Sequence, residues 1–318
     1  MLKIIYLGTP EFAVPCLQAL LEDKDSYEVL AVVAQPDRPK GRGNKLTAPP
    51  TKVLAEAHGI PVFQPEKLAK APEIVQAMRD LKPDLLVMVA FGQILKQEVL
   101  DLAPHGVINV HGSLLPKLRG AAPINWSIIN GDTTTGVTTM FTELGVDTGP
   151  MLLKAEIEIS PDMTAEELSQ EMSKVGAKTL IATLRELQAG TLVAHKQDDA
   201  AVTFAPILSK EMGKLDFSKS AETIHNLVRG LKPWPGTYTS FRGKGLKILQ
   251  TKLCPKETCL PQTKGKADGS LFVSDKRLYV VCAGEALEIL SLQPESRAAQ
   301  TAQAFLTGAH LTEEDRLG

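Results

Sequence analysis

Three residue types stand where they could carry a group transfer. The apolar run Gly106 to Val110 predicts a buried strand that delivers Asn109 and His111 near its carboxyl end. Side chains alternate along a strand, so Asn109 and His111 share one face. Downstream, Glu143-Leu144-Gly145-Val146-Asp147-Thr148-Gly149-Pro150 predicts a glycine-flanked turn that bears Asp147. An amide, an imidazole and a carboxylate are the parts of an acyl-transfer site. The amide N–H can stabilise an oxyanion. The imidazole can relay a proton, and the carboxylate can orient it or accept charge from it. No serine or cysteine nucleophile is required if the acceptor brings its own amine. Taken singly, a histidine at a strand end is ordinarily structural and an Asp in such a turn is ordinarily a turn former. The functional case rests on their joint occurrence.

The surrounding elements must bring these groups together. Residues 3 to 9 read as a first strand that ends in Gly8-Thr9, followed by helical spacing from Phe12 to Leu21. Val29 to Ala34 is a second buried strand. A helix around Val53 to Ala57, an extended Val62-Phe63, a helix around Ile74 to Leu81 and the strand Leu85 to Ala90 continue the alternation. The run from Leu85 has no polar alternation, as expected of a central parallel strand covered on both faces. Alternating β and α at this spacing implies an α/β fold with a doubly wound sheet. Gly112 to Gly120, between the strand and the rest, is apolar yet too broken for a helix. Thr164 with Glu167 forms a capping box that opens a long helix closed at Ala189-Gly190. Beyond 208, a helical pattern at Ile224, Leu227, Val228 and Leu231 precedes short strand candidates at Leu246–Leu253, Leu271–Val273, Leu278–Cys282 and Leu287–Leu292, punctuated by Gly and Pro. This predicts a small C-terminal β-barrel. The expected organisation is a catalytic domain over 1–190, a linker over 191–208 and the barrel over 209–318.

At 318 residues the chain is long enough for two domains, and 43% hydrophobic with 23% charged residues is ordinary for a globular protein. The longest apolar run, Leu85 to Phe91, is far too short to span a bilayer, and Glu11 closes an N-terminal stretch too short for a signal peptide. A cytoplasmic protein is expected, with no membrane partner. The four cysteines are expected to be reduced thiols, although Cys254 and Cys259 are close enough to bridge. The net charge of −2 conceals a division. Residues 1–208 carry 19 basic and 25 acidic side chains, whereas residues 209–278 carry 14 and 6. Arg38, Lys40, Arg42, Lys45 and Lys52 face Asp37 alone within 36–52, a proline- and glycine-rich stretch expected to be a long mobile loop. Local rather than net charge attracts phosphate, so these two regions suggest a polyanionic partner. In the first βα turn, Gly8-Thr9-Pro10-Glu11 places a proline and a glutamate where a dinucleotide needs glycine amides, which argues against NAD.

The run Asn109-Val110-His111-Gly112-Ser113-Leu114-Leu115-Pro116, continued by Arg119-Gly120-Ala121-Ala122-Pro123-Ile124 and by Asp147-Thr148-Gly149, resembles the signature of 10-formyltetrahydrofolate-dependent formyltransferases. Three further segments are similar to the methionyl-tRNA formyltransferase family: Ile5 to Ala13, the insertion Gln35 to Gly43, and Leu208 to Phe217 with Ile224-His225-Asn226 and Pro233-Trp234-Pro235-Gly236. The resemblance covers essentially the whole chain. It implies a Rossmann-like folate-binding domain, a β-barrel similar to an OB fold, and formyl transfer to the α-amine of methionyl-initiator tRNA for translation initiation. It implies Asn109, His111 and Asp147 as the catalytic residues. Asn109 would stabilise the oxyanion, His111 would move the proton, and Asp147 would orient the site and assist amine deprotonation. Ser113, Leu114, Leu115 and Pro116 would line the tetrahydrofolate pocket, with backbone around Val89 to Gln93, including Phe91 and Gly92, against the pterin. Arg38, Lys40, Arg42, Lys45 and Lys210 would contact tRNA. The insertion around Arg42 would enter the acceptor-stem end, where a weakened terminal pair opens at least cost. No metal is expected, and a monomer is.

Two other readings compete. The same chemistry on a small amine, such as a nucleotide sugar, would not require the basic loop or the basic stretch 209–278. A nucleic-acid-binding protein with a degenerate α/β domain would not require Asn109, His111 and Asp147 together.

Overall fold

The computed structural model describes residues 1–40, 43, 45–255 and 262–318. It divides into two compact units. The first comprises Met1–Pro123, Thr134–Glu158 and Ser169–Pro206, and the second Ile124–Thr133, Ile159–Leu168 and Ile207–Gly318. No helix among the described residues is long and apolar enough to cross a membrane.

The first unit is built on a seven-stranded sheet. Its strands are β1 (Leu2–Gly8), β2 (Tyr27–Val33), β5 (Val62–Phe63), β6 (Leu85–Val89), β7 (Val107–His111), β9 (Thr134–Phe141) and β10 (Met151–Glu158). Between these lie β3 (Arg38–Lys40), β4 (Lys45–Thr47) and β8 (Arg119–Gly120). The sheet order is β10-β9-β7-β6-β1-β2-β5. β7, β6, β1, β2 and β5 run parallel, and β9 and β10 are antiparallel additions. Ile4, Ile5, Tyr6 and Leu7 are wholly buried, as a strand covered on both faces requires. Each such aliphatic side chain contributes about 1.5–3 kcal/mol by leaving water. Helix α1 (Val14–Glu22) begins with Pro15 in its first turn and buries Cys16, Leu17, Leu20 and Leu21 along one face. Helices α2 (Pro50–Ala57), α3 (Pro72–Asp80) and the short α4 (Gln97–Leu100) follow the next strands.

The expected capping box is formed. Thr164 N and Oγ1 donate to Glu167 Oε2 at 2.8 and 2.7 Å, and Glu167 N donates back to Thr164 Oγ1 at 3.3 Å. Helix α6 (Ala165–Ala189) follows it and stops at Gly190, whose φ of +69° suits glycine. A short helix α5 (Pro123–Ile129) precedes β9.

In the second unit, helix α7 (Ala221–Gly230) is capped by Ser220, which accepts from Thr223 N. Ile224 and Val228 enter a core with Leu246, Ile248, Leu278, Val280, Leu287, Ile289 and Leu292. The strands are β12 (Thr237–Phe241), β13 (Lys244–Leu253), β14 (Leu271–Ser274), β15 (Arg277–Cys282), β16 (Glu285–Pro294) and β17 (Gln300–Thr301), followed by helix α8 (Ala302–Ala309). They form an antiparallel sheet in the order β12-β13-β16-β15-β14, with β17 on β16. This path leaves β12 and β14 unpaired with each other among the described residues. The C-terminal residues reach both, Leu317 bridging Phe241 and Arg316 bridging Ser270.

Several elements depart from the sequence expectation. β9, β10 and β12 are not among the expected strands, although the Thr, Val, Tyr and Phe residues of β9 and β12 favour extended backbone. Within 36–52, expected as a mobile loop, β3 pairs antiparallel with β4, Arg38 opposite Thr47 and Lys40 opposite Lys45, and α2 begins at Pro50. The polar composition of this stretch hides a ladder made only of backbone bonds. The expected linker is likewise backbone-paired: β11 (Phe204–Ala205) lies parallel to β8, and Met151 bridges His195. Cys16 and Cys282 are free and buried, but Cys254 is disulfide-bonded, contrary to the expectation of four thiols.

Candidate active site

The site begins where β7 ends. Asn109 pairs in register with Met88 on β6 and Met140 on β9, so the strand is central and its ending is well defined. Asn109 and His111 are each 6% exposed and face the same way, with Val110 turned into the opposite layer.

His111 Nε2 lies 3.0 Å from the Leu118 carbonyl. A carbonyl only accepts, so Nε2 carries the proton and Nδ1 is left to take one. Nδ1 faces Asp147 Oδ2 at 3.6 Å. Asn109 Nδ2 points at Asp147 Oδ1 at 3.5 Å, and the Gly120 backbone N–H donates to Oδ2 at 2.9 Å. The structure thus brings the three expected groups together around one carboxylate, although Asp147 is 38 residues from Asn109 in sequence.

The Asp147 turn joins β9 to β10. Asp147 has a φ of +52°, a left-handed conformation that Asp tolerates better than most side chains. A Cβ at Gly149 would sit 1.9 Å from the Phe141 carbonyl, so the backbone there closes only with glycine. The facing loop is held from below. Thr138 Oγ1 donates to the Ser113 carbonyl at 2.7 Å and accepts from Leu115 N at 3.1 Å. Ser113 Oγ donates to the Lys117 carbonyl, and Lys154 Nζ donates to the Leu115 carbonyl. Burial pushes the Lys154 ammonium below its ordinary pKa. Leu118 takes a positive φ of 60°, next to Arg119–Gly120, so one loop supplies both the His111 acceptor and the Asp147 donor.

The other expected site residues fall unevenly. Ser113 and Leu115 are buried, and Leu114 and Pro116 are half-buried. The Ser113 hydroxyl is already engaged with Lys117. The Phe91 ring lies in the core with Ile5, Leu7 and Leu95, so Phe91 presents only backbone; its carbonyl accepts from Thr9 Oγ1 and Gln35 Nε2. Gly92 follows it, exposed, with a φ of +81°. Just beyond, Ile94, Leu95, Lys96, Gln97, Glu98 and Leu144 line an open cavity of about 480 Å³. Ile94 is 72% and Leu144 61% exposed, so two large apolar side chains face outward there. Sequence reasoning missed this groove because neither residue sits in a periodic pattern. It also missed the Leu118 carbonyl, the Gly120 amide, Thr138 and Lys154; backbone groups leave no signal in residue type.

Of the expected tRNA contacts, Arg38 pairs with Glu66 at 2.8 Å in an exposed bridge, worth about 0–1 kcal/mol. Lys45 is exposed on β4, Lys40 pairs with it through the backbone, and Arg42 lies outside the described residues. Lys52 is held by Asp37 at 3.0 Å. Hydrogen bonds from Gln64 and then Lys52 keep that carboxyl below the usual range. Lys210, in the second unit, is exposed.

A mostly parallel α/β sheet that delivers Asn109 and His111 from the end of β7, with the Asp147 carboxylate from the β9–β10 turn beside them, suits a group-transfer enzyme. The chain belongs to the formyl transferase family, whose model matches residues 2–184 and whose C-terminal domain model matches residues 207–310. Among curated relatives, the methionyl-tRNA formyltransferase of Geobacter metallireducens is 50% identical over 317 residues, covering 100% of this chain and 99% of that protein. The enzyme of the same name from Ruminiclostridium cellulolyticum is 48% identical, with 100% of both chains covered. Among solved structures, an N-formyltransferase from Helicobacter canadensis in complex with folinic acid and dTDP-3-aminofucose superposes with a TM-score of 0.67 at 19% identity, covering 92% of this chain and 100% of that one. The last likeness is one of fold.

Proposed function

We propose that this protein transfers the formyl group of 10-formyltetrahydrofolate to the α-amine of methionyl-initiator tRNA. The observation that carries the chemistry is the convergence of Asn109, His111 and Asp147 on one point of a buried strand end. The choice of acceptor is supported by full-length identities of 45–50% to relatives named for that reaction. Folate fits the residues present. Ile94 and Leu144 offer apolar surface to a flat ring system, close to the exposed Gly92.

The acceptor amine attacks the formyl carbon, forming the new C–N bond. Asn109 Nδ2 donates to the oxygen that gains charge, the role of an oxyanion-hole amide. His111 Nδ1 takes the amine proton, while its Nε2–H stays on Leu118. Asp147, held by the Gly120 amide, lies beside the imidazole where positive charge develops and assists deprotonation. The C–N bond to the folate then breaks, and the folate nitrogen leaves with a proton.

Folate chemistry belongs to residues 1–190 in this reading. The stretch 36–52 with Arg38, Lys40, Arg42 and Lys45, together with Lys210 and the basic stretch 209–278, holds the tRNA. The protein acts as a cytoplasmic monomer. The test is formylation by the full chain with 10-formyltetrahydrofolate and three acceptors: methionyl-initiator tRNA, methionyl-elongator tRNA and free methionine. Preference for the initiator by more than tenfold in kcat/KM is expected. Equal rates with free methionine would replace this reading with the small-amine one.

A further inference from the structure

The stretch expected as a linker contributes a buried side chain to the active-site turn. Gln197 Nε2 donates two hydrogen bonds, to the Asp147 carbonyl and to the Gly149 carbonyl, both at 2.8 Å. Gln197 Oε1 accepts from Arg119 Nε at 2.9 Å. Gln197 is 4% and Arg119 7% exposed. Arg119 Nη2 continues to Asp199 Oδ1 at 3.4 Å.

This arrangement dictates its own orientation. An arginine Nε–H only donates, so it selects the oxygen end of the amide. The two amide N–H groups are then left for the two carbonyls, which only accept. One side chain thereby clamps the backbone on both sides of Thr148 and fixes the left-handed turn that aims Asp147. The same segment holds the facing loop. Leu118 N donates to Thr203 Oγ1, and Arg119 N donates to the Thr203 carbonyl, both at 2.9 Å. Phe204–Ala205 pairs with Arg119–Gly120. Leu118 is the acceptor for His111, and Gly120 is the donor to Asp147.

We propose that Gln197 is a positioning residue for formyl transfer, acting through Asp147, and that Arg119 sets the direction of its amide. The proposal rests on the reading of Asp147 as catalytic. Misplacement of a reacting group by about 1 Å costs about 10²-fold in rate. Gln197→Leu in the full chain is therefore expected to lower kcat about 10²-fold, with KM for 10-formyltetrahydrofolate and methionyl-tRNA changed by less than about threefold. Arg119→Lys keeps a donor against Oε1 and is expected to exceed Arg119→Leu in kcat by more than about tenfold. That rescue carries the test if Gln197→Leu does not fold. A Gln197→Leu protein within threefold of the parent kcat overturns the proposal. So does a loss of kcat and both affinities together with no advantage of Arg119→Lys over Arg119→Leu, which would mark the pair as structural only. Asp147→Asn, run in parallel, separates the two failures. If it remains active, the site reading itself is wrong. If it is inactive while Gln197→Leu is not, only the positioning role is.

Discussion

Asp147→Asn removes one charge and alters little else in shape, so its cost can be worked from the site. The carboxylate Oδ2 lies 3.6 Å from His111 Nδ1, the atom that takes the amine proton in the proposed reaction. As that proton arrives, a positive imidazolium forms beside a carboxylate that is only 14% exposed. At an effective dielectric of 20, opposite unit charges at this separation attract by about 4–5 kcal/mol. This attraction exists only when the imidazole is charged, so it lowers the barrier rather than tightening ground-state binding. Its loss corresponds to about three powers of ten in rate. The amide cannot recover the geometry either. With its oxygen toward the Gly120 N–H, its NH2 meets the Asn109 Nδ2 donor; turned over, its NH2 meets the Gly120 N–H. The assay is single-turnover formylation of methionyl-tRNA, with tRNA affinity measured separately by filter binding. A rate about 10³-fold below the parent with Kd within threefold is expected. A rate within tenfold, or a parallel loss of tRNA affinity, would refute the assignment of the Asp147 charge to the reaction.

Three other perturbations test different parts of the molecule. Gly120→Ala would place a Cβ 2.6 Å from the Ala205 carbonyl at a φ of +125°, so a loss of about 2 kcal/mol and about 4–8 °C in Tm is expected by calorimetry, with activity falling alongside. Lys45→Ala is expected to lower the slope of log kcat/KM for tRNA against log salt by about one unit and to leave folate KM unchanged, as for the loss of one phosphate contact; an unaltered slope would remove β4 from the interface. Arg242 donates to Asp315 from Nε at 2.7 Å and from Nη2 at 2.6 Å, and this pairing holds the Asp315 carboxyl down to about 2. A carboxyl depressed in the folded state stabilises above its unfolded pKa near 4, and the contribution disappears as pH falls through about 2. Arg242→Ala should therefore destabilise at pH 7, measured by urea unfolding, with the difference from the parent shrinking between about pH 4 and pH 2; a pH-independent difference would assign the effect to packing on Phe241.

Local patterns were legible because local physics sets them. The two-residue spacing of Asn109 and His111 put them on one strand face, the Thr164–Glu167 box announced α6, and the uniform apolar run at Leu85 marked a central strand. The charge counts separated a basic C-terminal stretch from an acidic catalytic part. Tertiary structure decided everything that depends on a partner distant in the chain. It turned the Phe91 ring into the core and set its carbonyl to accept from Thr9 and Gln35 beyond the ends of β1 and β2, because a ring of that size finds its place only once β1 and β6 lie side by side. It chose backbone groups, the Leu118 carbonyl and the Gly120 amide, to fix the histidine tautomer and the carboxylate. Every residue but proline carries both of those groups, so no sequence pattern singles them out. Gln197, one polar residue among many between 191 and 208, acquired its place when the pairing of β11 with β8 carried it to the Asp147 turn. The sequence by itself picked out Asn109, His111 and Asp147 as candidates; the fold alone selected the neutral groups that hold them, because hydrogen bonds between distant segments depend on where the chain returns rather than on which residue it carries.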